Sequence, residues 1–415
     1  MGKMVSWCVA TLAAAVVASV ATAPTAQAAD KEIVFGVQCD ITGPTAVIGT
    51  AACAGIRDYV ELMNSKGGVD GYKIKLLIND NQYKVPPGVE AYQHQKQEGA
   101  ITMAVYGTPI VQALAQNCND DHITCTSPGF GIGASADGKR YPYIFPMAAS
   151  YWSQAAGAVQ YAKEQLGGEL KGKKIAYLFL DNPAGREPLP VLQDLATREG
   201  FELKTFAVPP PGLDVGAQTL DIAQRFHADF VIAHVFGRSP SLAIKGLKAN
   251  GFPLKHQLGL AWAAAETDVE AAGGAAANGY NTVQFAGVGT DYPVSKEIVA
   301  MYSKAGKPAP KDMEISVYYN RGLAWAALHL QALHLAIAAK NGATPTGEDV
   351  KHGFEQIHDF TLGGLVAPLK LTPEDHEGGG FIQIWQVKGG KLTRVTDWFH
   401  AYPEEVKKQV EANAK

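Results

Sequence analysis

Past residue 30, short runs of Ile, Val, Leu and Phe alternate with longer stretches in which apolar residues return every three or four positions. EIVFGVQC (32–39), YKIKLLIND (72–80) and ITMAVYG (101–107) have the length and β-branched content of strands. Between them, TAACAGIRDYVELMNSKGG (50–68) and PPGVEAYQHQKQEG (86–99) carry helical spacing. Strand and helix in strict alternation predict a parallel sheet with right-handed crossovers.

The rhythm restarts after a loop near Pro146. KKIAYLFLD (173–181), FELKTFAV (201–208), DFVIAHVFG (229–237) and HQLGLAW (256–262) read as strands. LPVLQDLATREG (189–200), AQTLDIAQRFHA (217–228) and SLAIKGLKANG (241–251) read as the helices between them. Two similar α/β lobes follow. The long apolar helix over 315–342 comes after both sheets and must pack back on one of them. A chain that returns to a lobe it has left makes several connections between lobes. Such connections form a hinge, and a cleft between hinged lobes suits a small ligand.

A chain of 415 residues, 47% hydrophobic and 18% charged, is globular and long enough for two domains. The net charge of −4 and the scattered basic residues exclude a nucleic-acid partner. Residues 1–28 read as a signal peptide: Lys3, the apolar CVATLAAAVVASVATA, then Ala26-Gln27-Ala28 as a small-x-small cleavage site. The alternative, a membrane anchor, asks for a longer and less Ala-rich run. Cys8 stands too early to be the lipid-bearing cysteine of a lipoprotein, and no later segment reads as a membrane span. The mature chain is therefore expected as a soluble, exported protein of the periplasm.

Cleavage leaves Cys39, Cys53, Cys118 and Cys125, an even number in a compartment that permits disulfides. Of the three pairings, 39–53 and 118–125 each staple adjacent elements and are the ones expected; buried free thiols are the alternative. No C-x-x-C occurs and the histidines lack zinc-site spacing, so neither metal nor cofactor is expected.

One segment invites a nucleotide. Gly129 to Ala134, in TSPGFGIGA, fits a permissive G-x-G-x-x-A fingerprint. Its context fails: Pro128 interrupts the strand, and SADGKRYPYIFP follows in place of an amphipathic helix. The parts of a hydrolase or an oxidoreductase are also missing. There is no G-x-S-x-G, no H-E-x-x-H, and no acidic residue placed for a ribose hydroxyl. Binding without chemistry is the expectation, not an enzyme.

The start TGPTAVIGTAACAGIRDYVELMNSKGGVDGYKIKLLINDNQ resembles periplasmic binding proteins of the leucine/isoleucine/valine-binding type. The resemblance continues through YGTP, TSPGFG, IAYLFLDNPAG, ADFVIAHVFG and GLKANGF. It implies a type I periplasmic binding fold: two doubly wound parallel-sheet lobes joined by a three-crossover hinge, with the ligand trapped at the strand C-termini. It divides the chain into one lobe of 29–147 with 284–375 and another of 148–283 with 376–415. It also implies a small-molecule ligand, the permease subunits of an ATP-binding-cassette importer as partners, and a monomer.

Carried over residue by residue, the resemblance makes Thr108 a donor to a ligand carboxylate, with a helix cap as the plain alternative. Gly129, Phe130 and Gly131 fall on the family's contact triplet. There the family's hydroxyl is lost, two glycine amides remain, and Phe130 either faces the ligand or turns into its own lobe. In the second lobe, Asp181 and the loop to Gly185 lack the family's tyrosine, Phe236 matches an aromatic contact, and Arg238 is a partner for a carboxylate or a solvated charge. Where amino-acid binders carry an acid for the ligand ammonium, this chain has Ala261 and Trp262. A buried ammonium without a carboxylate costs several kcal/mol, on the order given by ion desolvation. The expected ligand is therefore a small organic acid, an aromatic carboxylate ahead of leucine or its relatives. A branched-chain amino acid or amide binder, or a sensor on the same fold, is the alternative.

Overall fold

The computed structural model describes residues 1–2 and 31–413, so the body of the expected signal peptide lies outside the described residues. The first sheet is built from β1 (Glu32–Cys39), β2 (Lys73–Asp80), β3 (Ala100–Ala104), β4 (Thr124–Thr126) and β5 (Ile144–Phe145), in the order β2-β1-β3-β4-β5. All its pairings are parallel. α1 (Ala46–Ser65), α2 (Val85–Gln97) and α3 (Thr108–Asp120) make the crossovers. α1 begins earlier than its sequence spacing indicates, so Cys53 stands two turns inside the helix.

The second sheet follows α4 (Tyr151–Gln165). It contains β6 (Lys174–Leu180), β7 (Glu202–Val208), β8 (Phe230–His234), β9 (Gln257–Gly259) and β10 (Asn281–Gln284), all in parallel pairings. Around them run α5 (Pro183–Arg186), α6 (Leu189–Glu199), α7 (Gly216–Leu220), α8 (Ser239–Ala249) and α9 (Glu266–Ala271). The chain then returns to the first lobe for α10 (Pro293–Lys304), α11 (Asp312–Ile315), α12 (Val317–Ala339) and α13 (Gly347–Glu355). It ends beside the second with β11 (Gln383–Lys388), β12 (Lys391–Arg394) and α14 (Pro403–Ala412).

The alternation read from sequence yields β1–β4 and β6–β9 but not the short β5 and β10 or the last ribbon: β11 and β12 are antiparallel and complete the order β12-β11-β10-β9-β8-β6-β7. The central strands β6 and β8 are buried on both faces, which is why they read as continuous apolar runs. The chain passes between the sheets three times: after β5, after β10, and through the segment ahead of β11. Gln284 is still part of β10 in the second sheet. His376 is still with the first lobe, stacked on Phe145 at 3.8 Å.

α12 is the return helix expected from its apolar run. By length and composition alone it would suit a bilayer, contrary to the reading that no later segment does. Its surroundings decide otherwise, since 72% of its most apolar window is buried inside the protein. It packs between α1 and α13. The approach to α1 is so close that a Cβ on Gly55 would strike the Tyr319 carbonyl, and one on Gly322 the Ala52 carbonyl. Farther along, His329 bridges the β3–β4 pair, bonding Thr102 Oγ1 through Nδ1 at 2.8 Å and Thr126 Oγ1 through Nε2 at 2.7 Å. Trp325 Nε1 donates to the same Thr126 oxygen at 2.6 Å. Burial pushes the His329 imidazole down to about 3, so it is neutral.

Both disulfides form in the expected pairing. Cys39–Cys53 joins the end of β1 to α1 across 6.3 Å between Cα atoms, and Cys118–Cys125 joins α3 to β4 across 6.2 Å. The chain-entropy account of short loops gives each about 2–3 kcal/mol. The double variant Cys39→Ser/Cys53→Ser should therefore melt several degrees lower in a thermal scan. An unshifted melt would show that the tie to α1 adds nothing that packing does not already supply.

Candidate functional site

The two sheets turn the C-terminal ends of their parallel strands toward one another, the edge where parallel α/β sheets bind ligands. Between these ends lies a narrow, nearly filled cavity of about 20 Å³. Its first-lobe wall comes from four successive connections. After β1, the loop into α1 is organised by buried Asp40, whose carboxylate accepts from Gly43 N–H at 2.6 Å, Thr45 N–H at 2.7 Å and the Thr45 hydroxyl at 2.6 Å. That loop leads to Ile48, which lines the cavity.

After β2, Gln82 and Tyr83 both adopt left-handed backbone, with φ of 53° and 55°. Buried Asn81 supports the turn, accepting from Tyr83 N–H at 3.0 Å and donating to the Tyr106 carbonyl at 2.7 Å. The turn delivers the Tyr83 ring into the cavity. After β3 comes Tyr106, whose hydroxyl donates to Thr45 Oγ1 at 3.0 Å. Gly107, at φ 105°, then opens α3 with Thr108 and Pro109 in its first turn. Thr108 is buried and lines the cavity at the positive end of α3, where Pro109 has no N–H and the Ile110 and Val111 amides both donate to the Gly107 carbonyl at 3.0 Å.

The loop after β4 answers what its glycines are for. A Cβ on Gly129 would run into the Phe285 ring, and its backbone lies at φ 75°. The Gly129 N–H, expected to meet a ligand, is spent on the Met147 carbonyl at 3.0 Å. Its carbonyl instead collects Gln154 Nε2 at 2.8 Å and Trp262 Nε1 at 3.2 Å from the second lobe. Gly131 N–H points at Thr108 Oγ1, 3.3 Å away. Phe130 lines the cavity, edge-on to Trp262 with centroids 5.5 Å apart.

From the second lobe come Tyr151 at the start of α4, Phe236 after β8 and Trp262 after β9. The Tyr151 phenol has the Thr108 side chain in hydrogen-bonding reach, and burial raises its pKa well above the ordinary tyrosine value. Phe236 meets Tyr83 across the cleft at 6.1 Å between centroids. Trp262 is backed by Arg321 of α12, whose guanidinium lies 4.9 Å from the indole centroid and 4.6 Å from that of Phe285. Arg321 donates to the Ala261 carbonyl and to Gln284 Oε1. Burial pushes it down to about 10, which leaves it a cation.

Of the residues singled out from sequence, Thr108, Phe130, Phe236 and Trp262 thus meet in one cavity. Asp181 and Arg238 do not. Asp181 pairs with Arg186 at 2.7 Å on the surface, and the Arg238 side chain is exposed. Tyr83, Tyr106, Tyr151 and Ile48 went unread. Tyr106 sits inside the quoted YGTP motif, but the other three owe their places to turns and a crossover that no local pattern announces. None of the cavity's lining residues is an acid, a histidine, a lysine or an arginine. Among the described residues, no group of three or more His, Cys, Asp or Glu side chains could hold a metal.

Comparison with known proteins agrees with this architecture. A Pseudomonas fluorescens group protein, described as an ABC transporter permease, is 32% identical, with 93% of this chain and 96% of that one covered and a TM-score of 0.84. A Thermus thermophilus branched-chain amino acid ABC transporter protein, solved with bound valine, shares the fold at 22% identity and a TM-score of 0.78, over 92% and 99% of the two chains. A Leu/Ile/Val-binding protein of Rhizobium johnstonii is 34% identical over 113 residues, 26% of this chain. That match spans only 30% of the relative's own length. The family description that fits the chain, periplasmic binding protein, runs over residues 32–391. It extends from β1 of one lobe to the antiparallel ribbon of the other, and the chain belongs to the periplasmic binding protein family.

Proposed function

We propose that the protein is the periplasmic solute receptor of an ABC importer and that it captures a small aromatic carboxylate between its lobes. The observation that carries this reading is the lining of the cavity: six aromatic side chains and no charged one. An α-amino acid would bring an ammonium into that space, and Asp40, the buried acid of the adjoining loop, already has its carboxylate committed to Gly43 and Thr45. A lone carboxylate has an easier reception. The Thr108 hydroxyl, at the positive end of the α3 dipole, suits an anion. Phe130, Phe236 and Trp262 supply ring faces and edges, where aromatic pairs add about 0.5–1.5 kcal/mol each beyond area burial.

In this mechanism the open cleft admits the solute and groups of both lobes engage it. Their combined contact favours the closed form, which docks on the permease subunits. The lobe built on β1–β5 with α10–α13 acts as one rigid body and the lobe built on β6–β12 as the other. A branched-chain amino acid is the second reading, favoured by the names of the relatives described above.

A thermal-shift screen followed by calorimetry separates the two. Benzoate or a phenylpropenoate should stabilise the protein, and Trp262→Ala should weaken that binding by about tenfold or more, the equivalent of roughly 1.4 kcal/mol. Tight binding of leucine or valine with no response to any aromatic acid would refute the aromatic-acid reading. Saturating ligand should also shrink the radius of gyration in small-angle scattering. An unchanged radius would refute closure by lobe rotation.

A further inference from the structure

The cavity leaves one glycine of the GFGIG segment unexplained. Gly133 lies on the rim, where the first lobe touches the second. Its N–H donates to Glu187 Oε1 at 2.7 Å, and the Glu187 carbonyl accepts from Trp152 Nε1 at 2.8 Å. A Cβ on Gly133 would press into the Trp152 ring, so only glycine lets the rim sit this close. Gly133 belongs to the first lobe, and Trp152 and Glu187 to the second. The loop that puts Phe130 into the cavity therefore also carries one half of a clasp across the lobe boundary.

Glu187 stands beside a groove of about 420 Å³ between the lobes. The titratable groups that face it are Tyr141 from the loop before β5, Tyr177 from β6, and its neighbour Arg186. Arg186 is already paired with Asp181, while Gln112 of α3 and Asn413 beyond α14 are uncharged. None of the ion pairs among the described residues involves Glu187. The carboxyl is thus set between two lobes with a glycine amide for company and no cation.

We propose that Glu187 couples closure of the cleft to uptake of one proton from water. An open cleft leaves its carboxylate solvated, and closing seats it against Gly133 of the first lobe, while the Trp152 bond to its backbone carbonyl stays within the second. This rests on the reading of the cleft as a site that closes on a solute. Burial pushes the carboxyl of the closed form up from 4.5 to about 7, with the Gly133 N–H opposing the rise. The closed value lies above the open one, which sets the direction. Below the open value both forms hold the proton and closure carries no charge penalty. As pH climbs through the window between the two, the open form ionises first and closure is increasingly disfavoured. Above about 7 both are ionised and the penalty stays constant. Closure is therefore favoured on the acid side.

Small-angle scattering of the ligand-free protein, at about pH 5.5 and about pH 8.5, tests this without any solute. The wild type should be more compact at the lower pH. Glu187→Gln, which keeps an acceptor for Gly133 but cannot ionise, should be compact at both. Glu187→Ala, which removes the acceptor, should be expanded at both. A wild-type radius that does not change with pH, or a Glu187→Gln variant that follows the wild-type curve, overturns the proposal. A calorimetric arm uses benzoate and L-valine, whose own charges are constant over this range. The affinity of whichever binds should fall on the order of tenfold or more toward high pH in the wild type and stay flat in Glu187→Gln. Failure of benzoate to bind would count against the aromatic-acid reading alone, because the scattering arm needs no ligand.

Discussion

α12 is held on the first sheet by a neutral imidazole: His329 grips Thr102 and Thr126, and Trp325 adds a third bond to the same threonine. A charged histidine could not be kept there, since burial without an acid partner disfavours the cation. With its middle fixed to one lobe, the helix extends its first turns to the other. Tyr318 donates to the Trp262 carbonyl at 3.0 Å, and Arg321 holds the Ala261 carbonyl. The loop that carries Trp262 is thereby positioned from the opposite lobe. With the bonds from Gln154 and Trp262 to the Gly129 carbonyl, this element sets the spacing between the two halves of the cavity.

Charge is distributed around the cavity by depth. The lining carries none, yet directly behind Trp262 lie Arg321 and, beyond Tyr318, Asp268, whose burial pushes its carboxyl up to about 7. Arg321 has no carboxylate within ion-pair distance among the described residues; its partners are a carbonyl, an amide oxygen and three aromatic rings. A buried guanidinium tolerates such company better than an ammonium would, because it is planar, weakly hydrated and stacks on rings. The cation stiffens the aromatic floor without itself reaching the solute.

Much of the architecture was legible because it is written in local periods. β1, β6 and β8 are apolar runs bounded by turns, α12 is an apolar helix that arrives late, and the four cysteines lie two by two on adjacent elements that parallel topology brings together. β11 and β12 were missed because a short polar ribbon after many glycines has no such period. In the site, Thr108 and Trp262 could be placed because the resemblance to the binding-protein family carries over contact positions at the ends of strands. Tyr83 could not, since two consecutive left-handed residues depend on the Asn81 side chain. Gly129 shows the opposite failure. Its position was read correctly, but whether its amide is free depends on Met147, a residue from the crossover beyond β5.

The Trp262 indole has two duties that a change of diet would set against each other. Its ring lines the cavity, while its N–H holds the Gly129 carbonyl and so registers one lobe against the other. A smaller residue there would enlarge the chamber and loosen the joint in the same step. Phe130 and Phe236 have no side-chain hydrogen bond to lose. Descendants of this protein that take other solutes have an unencumbered route through those two positions, and diversification should run through the phenylalanines while the tryptophan persists.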